Sequence, residues 1–146
     1  MRLRQRNQRG FSLIEMIVVL VIIGLIMGLV GPRLFGVSQK ARIDTANTQV
    51  KMLRGVLTTM QLDLARFPSA QEGLTLLVSP PNDPQVRSKW RGPYLDDDKV
   101  PLDPWGNPYQ YSVPGANGQP FALYSYGADG VRGGEGEGAD IGILPP

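Results

Sequence analysis

Cysteine and histidine are both absent from the 146 residues. Without cysteine there is no disulfide framework and no thiolate chemistry. Without histidine the usual general base, the Ser-His-Asp and Cys-His arrangements and the commonest zinc ligand all drop out. The chain therefore reads as a non-enzyme. Charge is also distributed unevenly. No acid precedes Glu15, and no charge of either sign lies in residues 16–32. The net charge of +2 misleads about partners: four of the 15 basic residues are Arg2, Arg4, Arg6 and Arg9, which leaves eleven against 13 acidic ones. The body is mildly acidic and carries no dense basic cluster, which argues against nucleic acid as a partner.

What is there begins with the apolar run. Residues 11–30 span about 30 Å as a helix, the thickness of a bilayer core. A secretory signal peptide is a poor description, because the run is long and Pro32 directly follows the small residue Gly31. A plain membrane anchor accounts for the length and the basic flank but leaves Glu15 unexplained, since a charge in lipid costs about 2.5–3.5 kcal/mol. The third reading comes from a motif. Gly10-Phe11-Ser12-Leu13-Ile14-Glu15 resembles the signature of type IV prepilins. That resemblance implies cleavage by a prepilin peptidase between Gly10 and Phe11, with N-methylation of the new terminus at Phe11. Residues 1–10 are then a leader, 11–31 a transmembrane and assembly helix, and 32–146 a periplasmic domain. The arginines keep the N-terminus cytoplasmic, which places the C-terminal part across the inner membrane. Glu15 has two open readings: an assembly contact with the N-terminal ammonium of a neighbouring subunit, or a neutral or interface-seeking carboxyl with no partner.

Beyond the membrane run, Pro32 predicts a kink or local melting over residues 28–32. Residues 38–66 are amphipathic: Ile43, Ala46, Val50, Leu53, Leu57, Met60 and Leu64 recur at steps of three and four. Gly55 within this stretch suggests close packing, and Phe67-Pro68 stops the helix. Ser69-Ala70-Gln71-Glu72 has capping-box spacing and opens a short helix through Leu74, Leu76 and Leu77. Residues 82–108 read as an ordered, irregular loop anchored by Trp90, Tyr94, Leu95, Val100, Leu102 and Trp105, with tight turns at residues 91–95 and 103–108. Asp96, Asp97 and Asp98 read as a solvated turn, with metal or partner binding as the lesser alternative. Residues 109–113 and 121–126 are short β-rich runs joined by a Gly- and Pro-containing hairpin loop, and residues 141–144 offer a third strand.

The loop from 127 to 140 carries Asp129, Glu135, Glu137 and Asp140 among its glycines. Glycines can turn carbonyls inward and carboxylates supply hard oxygen, a combination suited to Ca²⁺, which takes six to eight oxygens. A flexible, solvated acidic loop is an equally open reading of the residues alone. The order of elements is similar to that of the major pseudopilins of type II secretion, as are Phe67-Pro68-Ser69, Gly92-Pro93-Tyr94-Leu95, Asp103-Pro104-Trp105-Gly106-Asn107-Pro108, Tyr126-Gly127-Ala128-Asp129-Gly130 and Ala139-Asp140-Ile141. The resemblance covers nearly the whole chain. It implies an α+β, type IV pilin-like fold: a long N-terminal helix, half membrane-spanning and half amphipathic, packed on a short helix, an ordered loop and a small antiparallel sheet.

It further implies a structural Ca²⁺ held by Asp129 and Asp140, with the carbonyls of Tyr126 and Val131 and one of Glu135 or Glu137. The chain departs from the pattern at Gly138, where Asp or Asn is common. The implied function is the major subunit of a periplasmic filament that drives folded proteins across the outer membrane. Its implied partners are further copies of itself, minor pseudopilins, the inner-membrane secretion platform and the prepilin peptidase. A type IV pilin for adhesion, motility or DNA uptake is the nearest rival, and a membrane-anchored periplasmic binding domain a distant one.

Overall fold

The computed structural model describes residues 10–146. The leader arginines and the segment up to Arg9 lie outside the described residues. The chain divides into two compact units, Met1–Ser38 and Gln39–Pro146. A helix, α1 (Leu13–Leu64), contributes to both.

In the first unit α1 opens after Ser12, whose carbonyl accepts the Met16 N–H at 3.2 Å. The side chains that follow are apolar and exposed, from Leu13 at 79% to Leu29 at 72%. By length and composition this helix can cross a membrane. The expected melting at residues 28–32 is absent: helix continues through Pro32. Gly31 helps the helix pass: the proline ring crowds the Cβ of the residue before it, and glycine has none.

The second unit has its own core. Ala46, Val50, Leu53, Leu57, Met60 and Leu64 are buried along one face of α1, and Ile43 is half-buried. They meet Leu74, Leu76, Leu77, Tyr109, Phe121 and Leu123. Gly55 does not mark close packing: it lies on the opposite, exposed face, where an added Cβ meets nothing within 4 Å. The helix ends one turn before Phe67-Pro68, at Ala65, which adopts φ +58° and donates its N–H to Gln61.

The capping-box bonds form reciprocally. Glu72 accepts from the Ser69 N–H at 2.9 Å, and the Ser69 hydroxyl accepts from the Glu72 N–H at 3.3 Å. The element that follows is a 3-10 helix, Gly73–Leu77, rather than an α-helix. Arg66 grips the same carboxylate with two bonds of 2.7 and 2.8 Å, and these bonds hold Glu72 down at about pKa 2.

The irregular loop contains one α-turn, α2 (Pro84–Arg87), capped by Asp83. Trp90 anchors it through an indole bond to the Leu76 carbonyl, and Tyr94 through its N–H to Leu77 and its hydroxyl to Asp63. Leu95 and Val100 pack against the core. Leu102 is not an anchor. It is exposed and bridges Pro108 through the backbone, and the inward position of this stretch goes to Asp103, only 4% exposed. Trp105 is half-buried and lies outside the core cluster.

The sheet is antiparallel in the order β1 (Gln110–Ser112), β2 (Ala122–Ser125), β3 (Ile141–Ile143). Its central strand β2 is wholly buried. Tyr124 pairs with both Gln110 and Gly142 across the sheet. Tyr109 and Tyr111 tie the sheet to the helix side, bonding Gln49 Oε1 and the Pro68 carbonyl, and burial pushes both phenols up to about 12. β2 therefore leads directly into the acidic loop, and β3 leads out of it.

Candidate functional site

The acidic loop is gripped where it leaves β2. Ser125 is fully buried; its hydroxyl donates to Asp103 Oδ2 at 2.5 Å and accepts the Gly127 N–H at 2.9 Å. The other Asp103 oxygen accepts the N–H groups of Trp105 and Asn107, which shapes the turn at 103–107. Asn107 then donates its side-chain N–H to the Gly127 carbonyl at 3.1 Å. Gly127 sits at φ +71°, and a Cβ there would strike the carbonyl oxygens of Glu137 and Ala139. No residue with a side chain fits this place. The start and the end of the loop are thus held against each other.

Inside this neck the two expected aspartates converge on one stretch of backbone. Asp129 ends a 3-10 turn, Gly127–Asp129. Its Oδ1 accepts the Val131 N–H at 3.1 Å. Its Oδ2 lies where a Cβ on Gly134 or Gly138 would be, at 2.8 and 2.7 Å from those positions. A Cβ at Gly138 would stand 2.7 Å from Asp129 Oδ2, so a side chain there would require the Asp129 carboxylate to move. Asp140 Oδ2 accepts the Gly133 N–H at 3.0 Å, and its Oδ1 is buried with no hydrogen-bond partner.

A buried carboxylate oxygen without a donor is costly. With the Asp129 carboxylate and the Gly138 carbonyl both against the adjoining Gly134 backbone, the donor set is all hard oxygen. A cation of the Ca²⁺ class fits it. The glutamates stand apart from this pair. Glu135 is exposed and makes no cap bond, and Glu137 is half-buried within a second 3-10 turn, Gly136–Gly138. Among the described residues no group of three acidic side chains gathers closely enough to form a metal cluster. Tyr126 is half-buried with its hydroxyl 3.3 Å from that of Tyr124, while Val131 is exposed. The Asp103–Ser125–Gly127 connection carried no sequence signal beyond the buried-type turn residues, because its partners lie 22 residues apart.

At the other end of the chain, Gly10 and Phe11 precede the helix and are exposed, with open space around Gly10. Glu15 lies in the first turn of α1, with Oε2 3.5 Å from the Ser12 N–H. Ser12-Leu13-Ile14-Glu15 thus has the same Ser-x-x-Glu spacing as Ser69–Glu72, a feature the motif reading passed over.

Comparison with known proteins gives the following. The family profile described as Type II secretion system (T2SS), protein G matches residues 33–144. The prokaryotic N-terminal methylation motif matches residues 5–31. The chain is 44% identical over 141 residues to type II secretion system core protein G of Pseudomonas aeruginosa, covering 96% of this chain and 97% of that one. It is 42% identical over 139 residues to the protein of the same name from Vibrio cholerae, covering 95% and 93%. The crystal structure of the major pseudopilin from the type 2 secretion system of enterohaemorrhagic Escherichia coli superposes with a TM-score of 0.61 at 33% identity, covering 76% of this chain and 93% of that one.

Proposed function

Because the chain belongs to the type II secretion system protein G family, we propose that it is the precursor of a major pseudopilin. In this reading it is processed between Gly10 and Phe11, methylated at Phe11 and drawn from the inner membrane into a periplasmic filament that moves folded proteins outward. The observation that carries the proposal is the joining, in one chain, of the methylation motif and the protein G profile across a helix with an unpartnered apolar face. A helix of that kind needs lipid or copies of itself to cover it. Minor pseudopilins, the secretion platform and the prepilin peptidase are the partners this reading requires. No residue performs bond chemistry in it. The absence of cysteine also sets the chain apart from type IV pilins that close a C-terminal loop with a disulfide.

The same reading includes a structural Ca²⁺ in the C-terminal loop, with Asp129 and Asp140 as the side chains that hold it and main-chain carbonyls completing the set. Tyr126 and Val131 are the carbonyl candidates the resemblance implies, and the Gly138 carbonyl, which lies with Asp129 Oδ2 against Gly134, joins them on packing grounds. Bound calcium neutralises two carboxylates and ties the loop in place of a disulfide. At a hundredfold excess over its dissociation constant it adds about 2.7 kcal/mol to stability.

One preparation tests both parts. Protein expressed in a secreting host should have a mature N-terminus that begins with methylated Phe11 by mass spectrometry, and deleting the gene should strand secreted proteins in the periplasm. An unprocessed N-terminus, or secretion that continues without the gene, refutes the filament reading. Chelator should lower the melting temperature of the same protein, and Asp129→Ala should abolish that response; indifference to chelator removes the metal.

A further inference from the structure

The turn at 103–107 is 20 residues or more from the acidic loop in sequence, yet it holds both polar groups of a single peptide residue at the loop's neck. Asp103 reaches the Gly127 N–H through the Ser125 hydroxyl, and Asn107 reaches the Gly127 carbonyl directly. Gly127 in turn lies against the carbonyls of Glu137 and Ala139. Two residues after it comes Asp129, and one residue after Ala139 comes Asp140. Any rotation of the Gly127 peptide therefore moves the two aspartates relative to each other. Asp103 is itself buried and accepts three bonds, so it has little freedom to follow such a rotation.

We infer that Asp103 and Asn107 are positioning residues for the loop's cation site: they fix the Gly127 peptide, and through it the mutual placement of Asp129 and Asp140. The inference rests on the calcium reading above. It assigns the aspartate and asparagine of the Asp-Pro-Trp-Gly-Asn-Pro turn a role in metal affinity rather than in the turn alone. Partners that orient metal ligands from outside the coordination sphere typically govern affinity by about 10- to 100-fold.

The test is a calorimetric titration of the full chain in detergent micelles with Ca²⁺ alone. Wild type, Asp103→Asn, Ser125→Ala, the double variant, Asn107→Ala and Asp129→Ala are compared, with each metal-free melting temperature recorded. Asp103→Asn and Ser125→Ala should each weaken binding by about 10- to 100-fold. The double variant should be no weaker than the worse single one, because both act along one path. Asn107→Ala, which leaves the buried carboxylate intact, should weaken binding in the same direction and serves if Asp103→Asn does not fold. Unchanged affinity with a lower metal-free melting temperature would show a purely structural role and overturn the inference. Wild type that binds no calcium would overturn the metal reading itself and this inference with it, an outcome distinct from wild-type binding that the Asp103 and Asn107 changes leave untouched.

Discussion

Ala65 ends α1 in a left-handed conformation, φ +58°, that an L-residue with a Cβ adopts at a cost of about 1–2 kcal/mol. Glycine is the usual occupant of such a position. Ala65→Gly should stabilise the chain by about 1 kcal/mol net of glycine's greater unfolded-state entropy, seen as a melting temperature a few degrees higher. The signal was illegible because the sequence offers Phe67-Pro68 as an obvious stop, and the helix unwinds one turn earlier at a residue with no turn character. Glu72 makes the opposite case: its spacing from Ser69 announced the cap, and the cap bonds are present. Arg66's two bonds were not announced, and they are the main reason the carboxyl is held at about 2 rather than 4.5. The folded value is below the unfolded one, so this contribution is present above about pH 4.5 and fades as pH falls toward 2. Glu72→Gln should be less stable at neutral pH and should lose less stability on acidification than wild type, as read by denaturant titrations at pH 7 and pH 3.

Among elements, the amphipathic part of α1 was legible because burial imposes a period of 3.6 on its sequence, and the three strands because they are short β-rich runs bounded by turn residues. Around Leu102 the sequence points to an apolar anchor, whereas the chain turns Asp103 inward and Leu102 outward. A buried aspartate with three donors is invisible to a hydrophobic count. In the acidic loop the sequence offered six candidate donors, four carboxylates and two carbonyls, with Asp129 and Asp140 put first by the resemblance. The loop's packing singles out Asp129 and Asp140. Gly138→Ala places a methyl 2.7 Å from Asp129 Oδ2, so the carboxylate must shift. It should weaken calcium binding by about tenfold or more while leaving the sheet's far-ultraviolet dichroism unchanged, as measured by titration and spectroscopy on one sample.

On the scale of the whole chain, residues 13–30 present apolar side chains that are exposed among the described residues. One carboxylate sits at the start of this surface, against the Ser12 N–H. Removing it removes an insertion cost of about 2.5–3.5 kcal/mol, so a stability argument confined to one chain favours its loss. Glu15→Ala should therefore insert at least as well as wild type, by membrane fractionation, while its filament yield falls at least tenfold by shearing assay. Filaments at the wild-type level would leave Glu15 as a local helix cap and no more. The family was legible along nearly the whole chain, from the N-terminal motif through the Asp103–Pro108 turn to the Asp129 loop. The unbroken passage of α1 through Pro32 was not, since the sequence puts a helix breaker there and the relief comes from the missing Cβ of Gly31.

The neck at Gly127 has one more consequence. A hoop whose ends are already joined has spent its closure entropy before any cation arrives. A cation in the proposed site would then meet a preformed ring rather than fold a loose strand, and its binding should be fast and need little rearrangement. In chelator, hydrogen exchange should still find the Gly127 amide protected by Ser125, while the Gly133 amide, bonded only to the Asp140 carboxylate, exchanges freely. If both amides open together, the ring is closed by the ion after all.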